Sequence, residues 1–175
     1  MRVLVTGGGA IGRHVAADLV ARGHEVTLIE QDRAVVDDLR QEIPEVSVML
    51  GDACEPWVLE DADLAHADVV VAATGDDEDN LVTALLAKQE FAVPRVLARV
   101  NHPKNEWLFT EQWGVDTSVS PPHMLTSMVE EAVTSGDLVQ LLRLEGGRNS
   151  IVEMKLESRR EFGSGAVALR YEPRR

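Results

Sequence analysis

The chain has 175 residues, 45% of them hydrophobic and 27% charged, with a formal charge of −13. That length supports one full α/β core and leaves only a fragment over, while the acidity excludes nucleic acid and anionic membrane surfaces as direct partners. Its single cysteine, Cys54, excludes an internal disulfide, and no His/Cys cluster has zinc-ligand spacing; a reducing cytosol fits.

Arg2–Thr6 is an apolar run that leads into Gly7-Gly8-Gly9-Ala10-Ile11-Gly12 and then a helical pattern through Ile11, Val15, Leu19 and Val20. In this setting the glycines read as a dinucleotide fingerprint. Gly7 permits a tight turn, Gly9 lets the backbone approach a pyrophosphate, and Gly12 lets the helix pack closely on the sheet. The helix N-terminus turns unpaired N–H groups toward the same place. A second strand, Glu25–Glu30, ends in an acid 18 residues beyond Gly12, where a carboxylate accepts hydrogen bonds from ribose hydroxyls. A phosphate on that ribose, about 4 Å away, would be repelled by roughly 4 kcal/mol at an effective dielectric of about 20, which disfavours NADP. Asp32 can replace or assist Glu30, and Arg33 can reach an adenosine or a phosphate; a solvated helix start explains this pair equally well.

With a strand starting at residue 2, no signal or transit peptide is expected. The longest apolar stretch, 67–73, is broken by Asp68 and is far shorter than the roughly 20 residues of a membrane helix, so any membrane contact is expected to be indirect.

A helix over 32–42, Pro44 and a strand over 46–50 complete a β-α-β-α-β half, closed by Gly51-Asp52-Ala53. A short helical piece over 56–64 precedes a fourth strand, 68–73, whose nearly continuous apolar character predicts burial on both faces. Thr74-Gly75-Asp76-Asp77-Glu78-Asp79-Asn80 then turns into a helix running to about residue 91. Asp77, Glu78 and Asp79 suit the helix dipole and read as capping and solvation. Thr74, Gly75 and Asn80 stand at the carboxyl end of a central strand, where open α/β sheets bind their ligands.

A fifth strand over 95–100 leads through Asn101-His102-Pro103-Lys104 to a helix carrying Trp107, Leu108 and Trp113, and a sixth strand covers 115–119. The fold class is therefore α/β: a Rossmann-like, doubly wound, parallel six-stranded sheet. Beyond it, a helix over 123–134 places Met124, Leu125, Met128, Val129, Ala132 and Val133 on one wide apolar stripe. That stripe is a candidate for packing against another subunit, with packing inside the chain as the alternative. Gly136-Asp137 ends the helix, strands are expected over 139–144 and 151–156 with a turn at Gly146-Gly147-Arg148-Asn149, and the tail from Glu157 is polar without a visible core.

The glycine cluster, Glu30, Gly51-Asp52-Ala53, Ala67-Asp68, Ala73-Thr74-Gly75-Asp76-Asp77, Asn80, Ala98-Arg99-Val100-Asn101 and Gly114-Val115-Asp116 together resemble the regulator of potassium conductance (RCK) domain, and more narrowly the TrkA N-terminal domain of bacterial potassium-uptake regulators. The resemblance covers residues 1 to about 135. It implies a cytoplasmic subunit that senses NAD, NADH or an adenine nucleotide, ATP or ADP, and assembles as a homodimer or larger ring beneath a membrane potassium channel or transporter, without forming the pore. Carried over by position, Gly7, Gly9 and Gly12 hold the pyrophosphate, Glu30 the ribose, Asp52 and Ala53 the adenine side, and Thr74 and Gly75 the rest of the nucleotide. Arg99 is implied near the ligand or a subunit contact, and the helix after Pro122 corresponds to the crossover helix that joins subunits.

The candidate binding set is thus Gly7, Gly9, Ala10, Ile11, Gly12, Glu30, Gln31, Asp32, Asp52, Ala53, Thr74, Gly75, Asn80 and Arg99, with no catalytic and no metal-ligating residue. Two positions depart from the family pattern. Some ATP- and ADP-responsive members carry an arginine where this chain has Ala10, which shifts the preference to NAD(H). The family also usually has a second, C-terminal ligand-binding domain, and here residues 136–175 suffice for a linker and its beginning, against a nucleotide-binding domain over 1–135.

Hydride transfer needs an acid or base beside the substrate carbon. The lone tyrosine, Tyr171, lies in the tail, and none of Lys88, Lys104 and Lys155 completes a Tyr-x-x-x-Lys pair. His102 and Lys104 flank Pro103 as cap and solvent residues, and His14 and His24 read as surface or turn positions. Cys54 reads as a loop thiol, since a redox role requires a lowered pKa and no basic neighbour in sequence supplies one. An allosteric sensor is the reading adopted, with a small NAD-dependent oxidoreductase and a ligand-free dimerisation module as the alternatives.

Overall fold

The structure, a computed structural model, describes the backbone of residues 1–134, 140–143, 150–152, 155–161 and 167–172, and side chains through residue 130. The chain divides into two units, residues 1–122 and 123–175.

In the first unit, β1 (Arg2–Thr6), β2 (Glu25–Glu30), β3 (Ser47–Leu50), β4 (Val69–Ala72), β5 (Arg95–Arg99) and β6 (Thr117–Val119) form one sheet in the order β3-β2-β1-β4-β5-β6. Every pairing in it is parallel. The order reverses between β1 and β4, so the connections after these two strands leave in opposite directions and open a crevice at their carboxyl ends.

Alternate residues of the strands feed two cores, as the period of two requires. Val3, Val5, Val26, Leu28 and Val48 pack with Ala16 of α1 (Ala10–Ala21) and with Val36 and Leu39 of α2 (Arg33–Glu42). Leu4, Ile29, Val70, Ala72, Val96 and Ala98 pack with Val58 and Leu59 of α3 (Pro56–Asp61) and with Leu81, Ala84 and Ala87 of α4 (Asp77–Gln89). The central strands are covered on both sides, as their apolar runs require.

Helix starts follow their capping residues. Asp32 accepts from the Ala34 and Val35 amides at the head of α2, and Asp76 accepts from Glu78 and Asp79 at the head of α4. At the head of α1 stands Gly9, which offers no side-chain cap. The first N–H groups of a helix have no partner within the helix itself.

Two expectations are corrected. The helical piece expected over 56–64 is α3 followed by a separate 3₁₀ turn, Leu64–His66, because Asp63 takes a left-handed conformation at φ 55°. The helix expected through Trp107 and Trp113 is two 3₁₀ segments, Pro103–Leu108 and Glu111–Trp113; Phe109 leaves helical geometry and Gly114 ends the second segment at φ 78°. In the polar tail, β9 (Lys155–Glu161) pairs antiparallel with β10 (Val167–Glu172); main-chain ladders need no apolar side chains to form.

In the second unit, α5 (Pro121–Thr134) enters from the first, and β7 (Gln140–Arg143) pairs antiparallel with β8 (Ser150–Val152). Of the strand expected over 151–156, residues 151–152 belong to β8 and 155–156 to β9, and 153–154 lie outside the described residues. The expected helix end at Gly136-Asp137, the turn at Gly146-Gly147-Arg148-Asn149 and the boundary expected after residue 135 lie outside the described residues. Met124, Leu125, Met128 and Val129 of α5 are 47%, 65%, 57% and 52% exposed. Among the described residues, no helix is long and apolar enough to cross a membrane.

Candidate nucleotide site

The crevice is a cleft of about 270 Å³ whose wall begins at Gly7 and Gly9, continues through Ile29, Glu30 and Gln31, passes Gly51, Asp52, Ala53 and Cys54, and returns along Ala73, Thr74, Gly75, Asp79, Thr83 and Arg99. Five strand ends therefore contribute, those of β1 to β5, with α4 forming one side. The glycine turn is sterically enforced. Gly7 has φ 93°, and a Cβ on it would lie 2.8 Å from Thr74 Cα; a Cβ on Gly12 would lie 1.9 Å from the Gly7 carbonyl oxygen. Space around Gly9 is open to 4 Å.

Glu30 reaches back over this turn. Its carboxylate accepts from the Gly8 amide at 2.6 Å and the Asp32 amide at 2.9 Å, so both oxygens are fixed at the edge of the cleft and keep lone pairs for further donors. Gly8 fits closely in a way the fingerprint did not reveal: a Cβ there would come within 2.6 Å of Leu39 Cδ1, so that side chain would have to shift. Arg13 steadies the same peptide, donating from Nε to the Gly8 carbonyl at 3.2 Å while its guanidinium pairs with Glu42 at 2.6 Å.

Of the candidate binding residues, Gly7, Gly9, Glu30, Gln31, Asp52, Ala53, Thr74, Gly75 and Arg99 line the cleft. Ala10, Ile11, Gly12, Asp32 and Asn80 do not. Gly12 is packed against Gly7, Asp32 caps α2, and Arg33 is exposed. Asn80 is fully buried and acts through Thr74: its Oδ1 accepts from the Thr74 amide at 2.9 Å and the Thr74 hydroxyl at 2.8 Å, while its Nδ2 donates to the Arg99 carbonyl at 3.0 Å.

Cys54 follows Gly51-Asp52-Ala53 near the nucleotide edge expected from the sequence, whereas the sequence assigned Asp79 and Thr83 no place in the wall. The available signal was helical spacing, since Asp79 and Thr83 stand four apart on one face of α4. The Cys54 thiol lies 3.6 Å from an Asp79 carboxylate oxygen. Burial, then the charges of Asp79 and Asp52, push that thiol up to about 12, the reverse of what a redox switch requires. Asp79 is itself raised, first by burial and then by Asp76.

Glu30, Asp52 and Asp79 face a single base among the lining residues, Arg99. Its Nε is buried without a hydrogen-bond partner. Among the described residues no His, Lys or Tyr lines the cleft, and no group of three His, Cys, Asp or Glu side chains is arranged to hold a metal ion.

Residues 3–121 match the TrkA-N domain family. The chain belongs to that family. It is 52% identical over 174 residues to the Trk system potassium uptake protein TrkA of Mycobacterium tuberculosis, spanning 99% of this chain and 78% of that protein. The fold also resembles the GsuK channel bound to NAD, with a TM-score of 0.66 and 23% identity over 81% of this chain and 25% of the channel. GsuK bound to ADP gives a TM-score of 0.63 and 25% identity over 74% of this chain and 32% of that one. The TrkA-N match ends at the start of α5, so it spans the whole cleft.

Proposed function

We propose that this chain is a nucleotide-sensing regulatory subunit of a potassium-uptake system, in which an adenine dinucleotide held in the cleft sets the geometry of a homodimer that a membrane potassium channel or transporter reads. The observation that carries the reading is the Glu30 carboxylate fixed between the Gly8 and Asp32 amides beside the uncapped start of α1. A diphosphate is attracted to that helix end and a ribose diol to that carboxylate. The 52% identity to a potassium uptake protein over nearly the whole chain supplies the system.

Within that reading NAD(H) is preferred. Glu30 repels a ribose 2′-phosphate, which disfavours NADP, and Ala10 offers no charge to a terminal phosphate, which weakens the case for ATP and ADP. GsuK, which has been seen with both NAD and ADP, keeps adenine nucleotides as the competitors to test. The sensor reading is supported over hydride transfer by a lining that, among the described residues, offers carboxylates and a neutral thiol but no His, Lys or Tyr. The exposed stripe of α5 suits a second copy of the chain, and coupling of typically about 1 to 3 kcal/mol between ligand and dimer state suffices for control. Cells lacking this subunit should take up potassium poorly. The intact chain should restore uptake and Glu30→Ala should not; equal restoration by Glu30→Ala would overturn the role of the cleft.

A further inference from the structure

The polar residues at the ends of β4 and β5 form a continuous path from the cleft wall to the molecular surface. Asp77 is 2% exposed and accepts from the Asn101 amide at 2.6 Å, the His102 amide at 3.0 Å and Asn105 Nδ2 at 2.8 Å. It thus clamps the start of the 3₁₀ segment Pro103–Leu108, in which Trp107 is 74% exposed. Asn101 has a second attachment: its Nδ2 donates to the Thr74 carbonyl at 3.2 Å, the same oxygen that accepts from Asn80 Nδ2 at 3.3 Å. Thr74 is a wall residue of the cleft. One asparagine therefore holds the cleft wall with its side chain and the Asp77 clamp with its main chain.

We propose that Asp77 and Asn101 are positioning residues that join the Thr74–Gly75 wall to the surface segment carrying Trp107, so that nucleotide occupancy is reported at that surface. Buried polar networks whose members are all paired move together, because separating one member leaves a donor or acceptor unsatisfied. A ligand group that shifts the Thr74 peptide must displace Asn101 or carry it along, and Asn101 is tied to the clamp. The inference rests on the nucleotide reading above and adds to it the route by which occupancy leaves the cleft.

The test uses the full chain with Trp57→Phe and Trp113→Phe, which leaves Trp107 as the one tryptophan, titrated with NAD⁺ and separately with ADP. Binding is followed by calorimetry and Trp107 by its emission. Nucleotide binding should shift the emission of this parent. Asn101→Ala keeps the main-chain bonds to Asp77 and removes the tie to Thr74; it should still bind while losing most of the shift. Asp77→Asn should do the same, and Asn101→Ala carries the test if that variant does not fold. A full shift in Asn101→Ala, with only a lower melting temperature, would mean that the network is merely structural. Binding by the parent without any shift would overturn the coupling alone, whereas no binding of either nucleotide would overturn the nucleotide reading and the coupling with it.

Discussion

Among the described residues Arg99 is the one base in a cleft lined by three acids, and its buried Nε has no hydrogen-bond partner among them. Hydrogen bonds to charged groups contribute about 1.5 to 3 kcal/mol, so Arg99→Ala should weaken nucleotide binding by roughly tenfold to a hundredfold; an unchanged dissociation constant would remove Arg99 from the site. Asp79 lies on the same wall and carries the opposite expectation. Its carboxyl is raised in the fold, so the ionised form costs stability above the folded pKa, and that cost disappears below the ordinary value of 3.8, where both states are protonated. Asp79→Asn should therefore raise the melting temperature at pH 7, with a gain that shrinks as the pH falls toward 3.8. A gain independent of pH would contradict the electrostatic account. Asp77 behaves oppositely: burial pushes its carboxyl up, but the donors from Asn101, Asn105 and His102 outweigh this and hold it below its ordinary value. Its contribution is present above 3.8 and lost as the pH falls through the folded value.

Among the elements, β1, α1 and β2 carry the argument because their sequence signals are local. The tight turn at Gly7 and the contact of Gly12 with the Gly7 carbonyl are consequences of residue type within a few positions, and they were legible. Gly12→Ala forces a Cβ into a space 1.9 Å from that oxygen. Overpacking of this kind typically costs about 1 to 3 kcal/mol, so the variant should melt several degrees lower and lose nucleotide binding; a wild-type melting temperature with intact binding would show that the loop yields freely. What the sequence concealed is non-local. The hydrogen bonds from Asn101 and His102 to Asp77 span 24 and 25 positions, and no periodicity reports them. Asp77 therefore read as one acid in a capping run. The segment after β5 read as one helix through Trp107, Leu108 and Trp113, with Pro103 suited to its first position, yet its bonds from Asn105 to His102 and from Phe109 to Glu106 close over three residues.

At the scale of the molecule, the doubly wound sheet puts every loop that touches the cleft at one edge, and nine of the fourteen candidate residues, from Gly7 to Arg99, meet there because parallel strands all end on the same side. The four apolar side chains of α5, each about half exposed, give the chain a reason to pair. Leu125→Asp combined with Met128→Asp should convert a dimer to a monomer in sedimentation equilibrium without lowering helix content, and an unchanged mass would move the interface elsewhere.

The central claim is a dinucleotide held against Glu30 in the β1–α1 cleft, and calorimetric titration of ligand-stripped protein with NADH tests it most directly, with NAD⁺, NADP, ATP and ADP as competitors. The account predicts saturable NAD(H) binding, exclusion of NADP, and at least a tenfold loss of affinity, by roughly the 1.5 kcal/mol or more of a charge-assisted hydrogen bond, in Glu30→Ala. Absence of binding by any of the five, or NADH binding that Glu30→Ala leaves untouched, would contradict it.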